Sequence, residues 1–268
     1  MEKIGIFAGK GGIVSLAVNE IKKRGKEPVM FSFYDMDFPG IKFYKIGFGA
    51  LDEFLYKARK EGVSRIILVG KIHPQEIFKK PLDASGGNFI KSLKTFVPED
   101  ILLNLVRYIE KHHIRTIPLT NVFRDCIAME KMYSNEKPGP KDLVDIDFSW
   151  KIAKYAANKK IGQAVSVKNG MVIAVEGIEG TDEMIKRSGN YCEDFTVMKV
   201  IRAGQSTKFD LPTVGPDTVK NFVESKGRVL VFEAGKTIIL DEEKIKDMAD
   251  KNKIIVLGYK GRKNKHVN

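Results

Sequence analysis

The sequence predicts an α/β protein of two domains: an N-terminal parallel sheet with crossover helices, and a C-terminal mixed α/β domain with β-hairpins. Three observations predict this organisation. Apolar strand-like runs alternate with helix patterns in the first half, a charged turn-forming segment interrupts them at 134–142, and hairpin signals follow. A chain of 268 residues is long enough to bury two hydrophobic cores.

The first half opens with an apolar strand pattern at 3–9, a glycine-rich turn and a helix pattern that ends at Gly25. Further strand patterns lie at 27–33, 63–70 and 114–120, and helix-period apolar residues separate them. This alternation predicts a Rossmann-like parallel sheet. Its ligand edge is expected at the carboxyl ends of the strands, where the glycine turn also lies.

The segment 134–142, "SNEKPGPKD", combines turn formers with charged residues and interrupts the strand–helix alternation. Few contacts are expected to cross such a stretch, which is typical of a connection between domains. We therefore predict an N-terminal domain at 1–133, a linker at 134–142 and a C-terminal domain at 143–268.

The second half has a different sequence pattern, which indicates short strands that pair through tight turns. An amphipathic helix is predicted at 142–160, and a β-hairpin at 163–176 with Asn169 and Gly170 in its turn. A second hairpin is predicted at 228–241, and an acid-rich helix start follows each hairpin. These signals predict a mixed α/β domain with antiparallel strands.

The net charge of +12 comes from 46 basic and 34 acidic residues and favours anionic partners. No apolar run approaches the ~20 residues that span a bilayer, and the N-terminus lacks the pattern of a secretory signal. The two cysteines exclude a disulfide scaffold and fit a reducing cytoplasm. The histidines form no zinc signature, and the basic residues follow no recognised nucleic-acid motif, so we predict no nucleic-acid partner.

The glycine turn after the first strand is the first candidate site and consists of Gly9, Lys10, Gly11 and Gly12. Its glycine spacing fits neither the Walker A loop nor the dinucleotide fingerprint, and no hydroxyl residue follows Lys10. Backbone N–H groups at a helix start, unobstructed by a Cβ atom, could receive a phosphate, a sugar or a uracil. The alternative is a turn that needs glycine only for its own geometry.

The segment 175–187 is the second candidate site because four acidic residues surround two glycines after a hairpin strand. Mg²⁺ takes one or two carboxylates and leaves waters for a substrate, so Glu179 and Asp182 are candidate metal ligands. In the alternative interpretation, Thr181 or Asp182 simply caps the helix that follows.

The segment 198–219 is the densest polar stretch and predicts a cationic strand that carries Lys199, Arg202 and Lys208 and leads to Asp210. A turn then precedes a helix that begins near Asp217. Bases beside a carboxylate at a helix N-terminus suit a diphosphate, because the bases neutralise its oxygens while the aspartate holds metal or orients water. The alternative is an edge strand with solvated lysines and a turn aspartate.

The segments "IGQAVSVKNGMVIAVEGIEGTDEMI" and "KFDLPTVGPDTV" resemble the C-terminal domain of the LpxI family of UDP-2,3-diacylglucosamine pyrophosphatases. "IFAGKGG" and "GALDEFLYKARKEGVSRIILVGKI" resemble the N-terminal half of that family. The resemblance implies a cytoplasmic two-domain dimer, with exchanged domains, that hydrolyses the diphosphate of a UDP-linked diacylglucosamine with Mg²⁺. It also implies that Asp210 matches the family's essential aspartate and that the substrate lies between the two domains.

Several positions depart from the family's pattern. Ile13 and Val14 stand where Leu-Pro is usual, Arg202 replaces a lysine, and Ser206 replaces the aspartate that usually follows the glutamine. The segment after "IPLTN" also differs from the family's usual "LLAPEG" stretch.

Together the motifs and the resemblance give the site residues that we predict. Asp210 and Lys199 are catalytic candidates, and Asp210, Asp182 and Glu179 are metal candidates for Mg²⁺, with Mn²⁺ as a substitute. The partners expected are a UDP-linked acylated sugar, a second subunit and, peripherally, the inner face of a membrane. The rival hypothesis is a non-catalytic binder of nucleotide sugars or anionic lipids. The substrate-binding candidates are Gly9, Lys10, Gly11, Gly12, Lys71, Thr181, Arg202, Gln205, Lys208 and Thr213.

Overall fold

A computed structural model of the chain describes residues 1–47, 49–72, 83–96, 98–206 and 211–262. The chain divides into two compact units, the first containing Met1–Arg124 and the second comprising Asp125–Gln205 and Leu211–Asn268. The units change at 124–125, so the segment 134–142, which the sequence predicts as a linker, lies within the second unit. No helix in the described part of the chain is both long and apolar enough to cross a bilayer.

The first unit is built on a parallel sheet, as the strand–helix alternation predicts. In the described residues its strand order is β3-β2-β1-β4-β5, and every neighbouring pair runs parallel. The predicted strand at 114–120 is shorter than expected, because Pro118 has no N–H group to donate and a helix begins directly after it. The strands are β1 (Lys3–Ala8), β2 (Glu27–Ser32), β3 (Lys42–Lys45), β4 (Arg65–Val69) and β5 (Arg115–Thr116).

Helix α2 (Leu51–Lys60) of the first unit buries one apolar face. Its residues Leu51, Phe54, Leu55 and Ala58 are buried, as their helical spacing predicts. The Phe54 ring meets the Phe7 and Phe31 rings edge-on, at centroid distances of 5.0 and 5.2 Å. The helices described are α1 (Ile13–Lys23), α2 (Leu51–Lys60), α3 (Ala84–Ser92), α4 (Pro98–Lys111) and α5 (Leu119–Val122).

The second unit has a mixed five-stranded sheet of order β12-β10-β8-β6-β7 among its described residues. Strands β12, β10 and β8 are parallel, whereas β6 is antiparallel to both β8 and β7. A small parallel pair, β11-β9, stands apart from this sheet. The strands are β6 (Ala164–Lys168), β7 (Met171–Val175), β8 (Thr196–Lys199), β9 (Thr213–Val214), β10 (Val229–Glu233), β11 (Ile238–Ile239) and β12 (Ile255–Tyr259).

Alternation along these strands divides the second unit's apolar residues between two cores. Val197 and Leu230 belong to one core, and their chain neighbours Met198 and Val231 belong to the other. The helices of this unit are α6 (Pro140–Asn158), α7 (Thr181–Gly189), α8 (Pro216–Glu224) and α9 (Glu242–Lys251). Helix α6 packs in the core that contains Met198 and Val231, whereas α7, α8 and α9 pack in the core that contains Val197 and Leu230.

The hairpin predicted at 163–176 is confirmed as β6 and β7. Asn169 and Gly170 both have positive φ angles, 50° and 74°, which a tight hairpin turn requires. Asp145 of α6 fixes this turn, because its carboxylate accepts hydrogen bonds from the N–H groups of Asn169 and Gly170 at 2.8 and 2.7 Å.

The second hairpin predicted, at 228–241, is wrong. Strand β10 has β8 on one side and β12 on the other, so neither of its edges is open to β11. The chain turns away at Gly235, whose φ is 80° and whose N–H donates to the carbonyl of Ala128. Strand β11 then pairs in parallel with β9.

A buried carboxylate joins three elements of the first unit. The Glu61 side chain is 4% exposed and accepts hydrogen bonds from Lys42 at 2.6 Å, Tyr44 at 2.5 Å and Lys3 at 3.0 Å. These donors, Lys42 first, lower the pKa of Glu61 from its ordinary 4.5 to about 2. The carboxylate thereby ties the segment that ends α2 to β1 and β3.

We expect the first unit to lose stability in acid as Glu61 takes up a proton. Because its pKa is lowered on folding, the Glu61 contribution is complete above pH 4.5 and is lost as the pH falls toward 2. Glu61→Gln should lower the melting temperature at pH 7 by at least ~3 °C. It should also flatten the acid dependence between those limits, measured by circular dichroism. Asp37→Asn, at an exposed carboxylate of the same unit, is the control and should change neither.

Candidate active site

The glycine turn of the first unit connects β1 to α1 at the carboxyl edge of the sheet. Gly11 has a φ of 111°, and Gly12 is the residue at which α1 is capped. The backbone of the turn pairs with the segment that follows β4: Lys10 donates to the Lys71 carbonyl at 2.9 Å, and Lys71 donates back at 2.8 Å. The turn therefore brings the predicted residues Lys10 and Lys71 together.

Glycine is required where these two segments cross. A Cβ atom on Gly9 would lie 2.6 Å from the Lys71 carbonyl oxygen, and one on Gly70 would lie 2.7 Å from the Gly9 backbone. The side chains of Lys10 and Lys71 are exposed, and the Lys10 ammonium lies 4.4 Å from the centre of the Tyr34 ring. Two cations thus flank the start of α1, whose N–H groups favour anions.

In the second unit, Lys199 lies at the carboxyl end of β8, and its ammonium donates to the Thr213 carbonyl at 3.4 Å. This contact brings two predicted residues together. The predicted cationic strand is wrong beyond Lys199, because β8 ends there and Arg202 and Gln205 follow in a turn. The reason is that the backbone after Val200 bonds to side chains rather than to a neighbouring strand.

Gln205 is 8% exposed, and its side chain stabilises this turn through hydrogen bonds. Its side-chain oxygen accepts hydrogen bonds from the Arg202 N–H at 3.3 Å and the Gln163 amide at 2.9 Å. The Gln163 N–H donates to Glu176 at 3.0 Å, and the Thr181 hydroxyl donates to the other Glu176 oxygen at 3.0 Å. A continuous polar chain therefore links Thr181 to Arg202.

The acidic segment at 175–187 does not cap its helix in the way the alternative interpretation expects. Gly180, with a φ of 83°, occupies the capping position of α7, and no side chain caps it there. Thr181 is the first residue of the helix, and Asp182 lies in its first turn. The side chains of Thr181 and Asp182 therefore are not caps.

Glu179 forms an ion pair with Arg187 at 2.6 Å and accepts from the Gly177 N–H at 3.1 Å. A hydrogen bond from its own backbone N–H and the Arg187 guanidinium lower the pKa of Glu179. Among the described residues, no group of three or more His, Cys, Asp and Glu side chains is arranged to hold a metal ion. Glu179 and Asp182 therefore do not form a complete metal site by themselves.

Two predicted residues, Lys208 and Asp210, lie outside the described residues, and their roles stay predictions. The structure adds four side chains that the sequence reasoning did not select: Lys154, Asn158, Gln163 and Glu233. Lys154 and Asn158 are four residues apart on α6, and Glu233 is an acid at the end of an apolar strand. The acidic residue at the end of this apolar strand is the one sequence signal for these contacts, because a buried carboxylate needs a polar or charged partner.

Comparison with known proteins finds the same family in both units. The LpxI N-terminal domain matches residues 3–126, and the LpxI C-terminal domain matches residues 129–257. The UDP-2,3-diacylglucosamine pyrophosphatase LpxI of Caulobacter vibrioides is 24% identical over 273 residues, which cover 96% of this chain and 98% of that protein.

Two solved structures are similar in part. The UDP-glucose 4-epimerase of Thermus thermophilus in complex with NAD is 13% identical, with 52% of this chain and 41% of that chain covered and a TM-score of 0.30. A GalE-like L-threonine dehydrogenase from Cupriavidus necator is 10% identical, with 70% and 72% covered and a TM-score of 0.30. These likenesses carry no argument about function. The two domain matches do, and the chain belongs to the LpxI family.

Proposed function

We propose that the chain hydrolyses the diphosphate of UDP-2,3-diacylglucosamine to UMP and 2,3-diacylglucosamine 1-phosphate, a step of lipid A biosynthesis. One observation carries this proposal: both LpxI domains match in order over nearly the whole chain. The relative from Caulobacter vibrioides, whose name states this activity, supports it because the two proteins align over almost their full lengths.

The chemistry of a diphosphate fits the residues at the two strand edges. Hydrolysis of a phosphoric anhydride requires neutralisation of several oxygens and an oriented water molecule, and it needs no covalent intermediate. Lys199 is the last residue of β8 and Arg202 follows it, and Lys10 and Lys71 follow β1 and β4, so each unit offers cations at the carboxyl edge of its sheet. In the proposal these cations bind the diphosphate oxygens.

Asp210 has the remaining role in this proposal. In the proposal the Asp210 carboxylate accepts a hydrogen bond from the attacking water and aligns its oxygen with the phosphorus atom. One P–O bond forms to that water and the anhydride P–O bond breaks, with its electron pair staying on the leaving phosphate. The protons of the water pass to solvent, and UMP and the sugar phosphate leave. The resemblance to the LpxI family supports the choice of Asp210.

Mg²⁺, with Mn²⁺ as a substitute, belongs to the proposal as a further charge on the diphosphate. It usually keeps several waters and takes one or two carboxylates together with substrate oxygens, so a three-residue protein cluster is not required. Asp210, Asp182 and Glu179 are the candidate ligands, and the Glu179 carboxylate also pairs with Arg187 at 2.6 Å.

We also propose that the protein acts in the cytoplasm as a homodimer with exchanged domains, in peripheral contact with the membrane that holds its product.

The second candidate function is non-catalytic binding of a nucleotide sugar or an anionic lipid. It is favoured by Ser206, which stands where family members usually have an aspartate after the glutamine. A serine can donate a hydrogen bond to a phosphate but does not carry the charge that would hold a metal.

UMP release by the purified chain tests the proposed function. We expect UDP-2,3-diacylglucosamine to yield UMP with saturation kinetics, and an unacylated UDP-glucosamine control to yield at least ~10-fold less at equal concentration, because remote binding energy is lost. Calorimetric binding of the acylated substrate without UMP release would support the second candidate function instead.

A further inference from the structure

The turn at 200–205, which follows β8, is held largely by hydrogen bonds from its backbone to side chains. No strand among the described residues pairs with it, yet its four consecutive backbone N–H groups at 200–203 are all bonded. Val200 donates to the Gln163 carbonyl at 2.8 Å, and Arg202 donates to the Gln205 side chain at 3.3 Å. The N–H groups of Ile201 and Ala203 donate to side chains from other elements of the same unit.

Those side chains come from β10 and α6. Glu233, which is 6% exposed, accepts from the Ile201 N–H at 2.9 Å, and Asn158 accepts from the Ala203 N–H at 2.9 Å. Lys154 donates to the Ile201 carbonyl at 2.8 Å and to the same Glu233 oxygen at 2.9 Å. Both polar backbone groups of Ile201 are therefore held by one ion pair.

This ion pair is costly as a source of stability alone. Withdrawing the Glu233 carboxylate and much of the Lys154 side chain from water opposes folding, and apolar replacements of similar volume are often neutral or stabilising. The ion pair instead determines where the backbone of the turn lies. It fixes the backbone at Ile201, which is itself buried and directly precedes Arg202 in the chain.

We propose that Lys154 and Glu233 are positioning residues for Arg202, acting through the backbone of Ile201. This inference rests on the proposed function, in which the Arg202 guanidinium binds the diphosphate. Neither Lys154 nor Glu233 need contact the substrate. They set the backbone from which the Arg202 side chain extends.

The test combines kinetics with hydrogen exchange of the amides at 201–203. Lys154→Met should lower kcat roughly 10- to 100-fold, since small misplacements of catalytic groups have effects of that order, with a smaller change in KM. Protection of the 201–203 amides should fall in the same variant. Lys154→Arg, which keeps the charge and the donors, should recover most of kcat. Lys151→Met, at an exposed lysine of the same helix, is the matched control and should change neither quantity.

A double variant separates positioning from stability. Lys154→Met leaves Glu233 with only the longer ion pair to Lys236, at 3.6 Å, and should lower the melting temperature, whereas adding Glu233→Gln removes that poorly compensated charge and should restore it. We expect kcat to stay low in the double variant, because the Ile201 carbonyl still lacks its ammonium donor. Recovery of kcat together with the melting temperature would overturn the proposal.

Two further results would also overturn it. One is a Lys154→Met protein with lost amide protection and the kcat of the Lys151→Met control. The other is a wild-type chain whose 201–203 amides exchange at the rate of an unprotected peptide. A wild-type chain that is well protected but releases no UMP would instead contradict the proposed function, since the exchange measurement needs no substrate.

Discussion

Asp210→Asn is expected to lower turnover by at least ~10²-fold, the effect of losing one well-placed electrostatic group in a transition state. The isosteric amide keeps the shape of the side chain but loses its charge and its ability to orient water as a base. KM should change far less, because Lys199, Arg202 and the glycine turn would still bind the diphosphate. UMP release under saturating and limiting substrate measures both quantities.

The melting temperature and a second carboxylate control this experiment. We expect Asp210→Asn to unfold close to the wild-type temperature, because the amide has nearly the same size and shape as the carboxylate. Asp217→Asn, at an exposed acid in the first turn of α8, should retain wild-type turnover. Lys199→Ala should differ from both by weakening substrate binding as well. An Asp210→Asn protein with most of its turnover would make Asp210 a turn residue and refute the mechanism.

Removal of divalent cations is expected to have the second largest effect. Activity should vanish in EDTA and return on addition of Mg²⁺ or Mn²⁺, because a divalent cation bound directly to diphosphate oxygens would polarise the phosphorus atom and stabilise the charge that develops on the leaving phosphate. The measurement is UMP release during exhaustive chelation and titration with each cation.

A structural role for the cation would give a different pattern from a catalytic one. We expect the melting temperature in EDTA to equal that in Mg²⁺ without substrate, since the described residues hold no three-ligand cluster. Ca²⁺ serves as the comparison, because its longer and more flexible coordination should restore less activity. Full activity after chelation would remove the metal from the account and leave the basic residues to neutralise the diphosphate unaided.

Much of the fold was predictable because its signals are local. The apolar spacing of Leu51, Phe54, Leu55 and Ala58 indicates the buried face of a helix without any knowledge of its neighbours. Asn169 and Gly170 indicate a hairpin turn for the same reason, since positive φ angles are a property of the residues themselves.

The pairing of β10 and β11 could not be predicted in this way, because it depends on which strand edges are already paired with other strands. Strands β10 and β11 have the local pattern of a hairpin, but both edges of β10 are taken by strands far away in the sequence. A local pattern contains no information about that competition, so the sequence alone favoured the wrong pairing.

The candidate site shows the same limit. The motifs indicate Lys199, Thr181 and Gln205, and the structure joins each of them to a polar partner. The contact of Lys154 with Ile201 spans 47 residues of sequence, and neither residue type predicts such a contact. Side chains that bond the backbone of an irregular turn, as Lys154 does, can be identified only from the hydrogen bonds of each backbone group in the folded structure.

The most direct test of the central claim is phosphorus NMR spectroscopy of UDP-2,3-diacylglucosamine incubated with the purified chain and Mg²⁺. Cleavage of the anhydride predicts that the two coupled diphosphate resonances disappear together. Two uncoupled monophosphate resonances of equal intensity, from UMP and from 2,3-diacylglucosamine 1-phosphate, should replace them. Diphosphate resonances that broaden on binding but keep their full intensity would contradict the account and identify the chain as a binding protein.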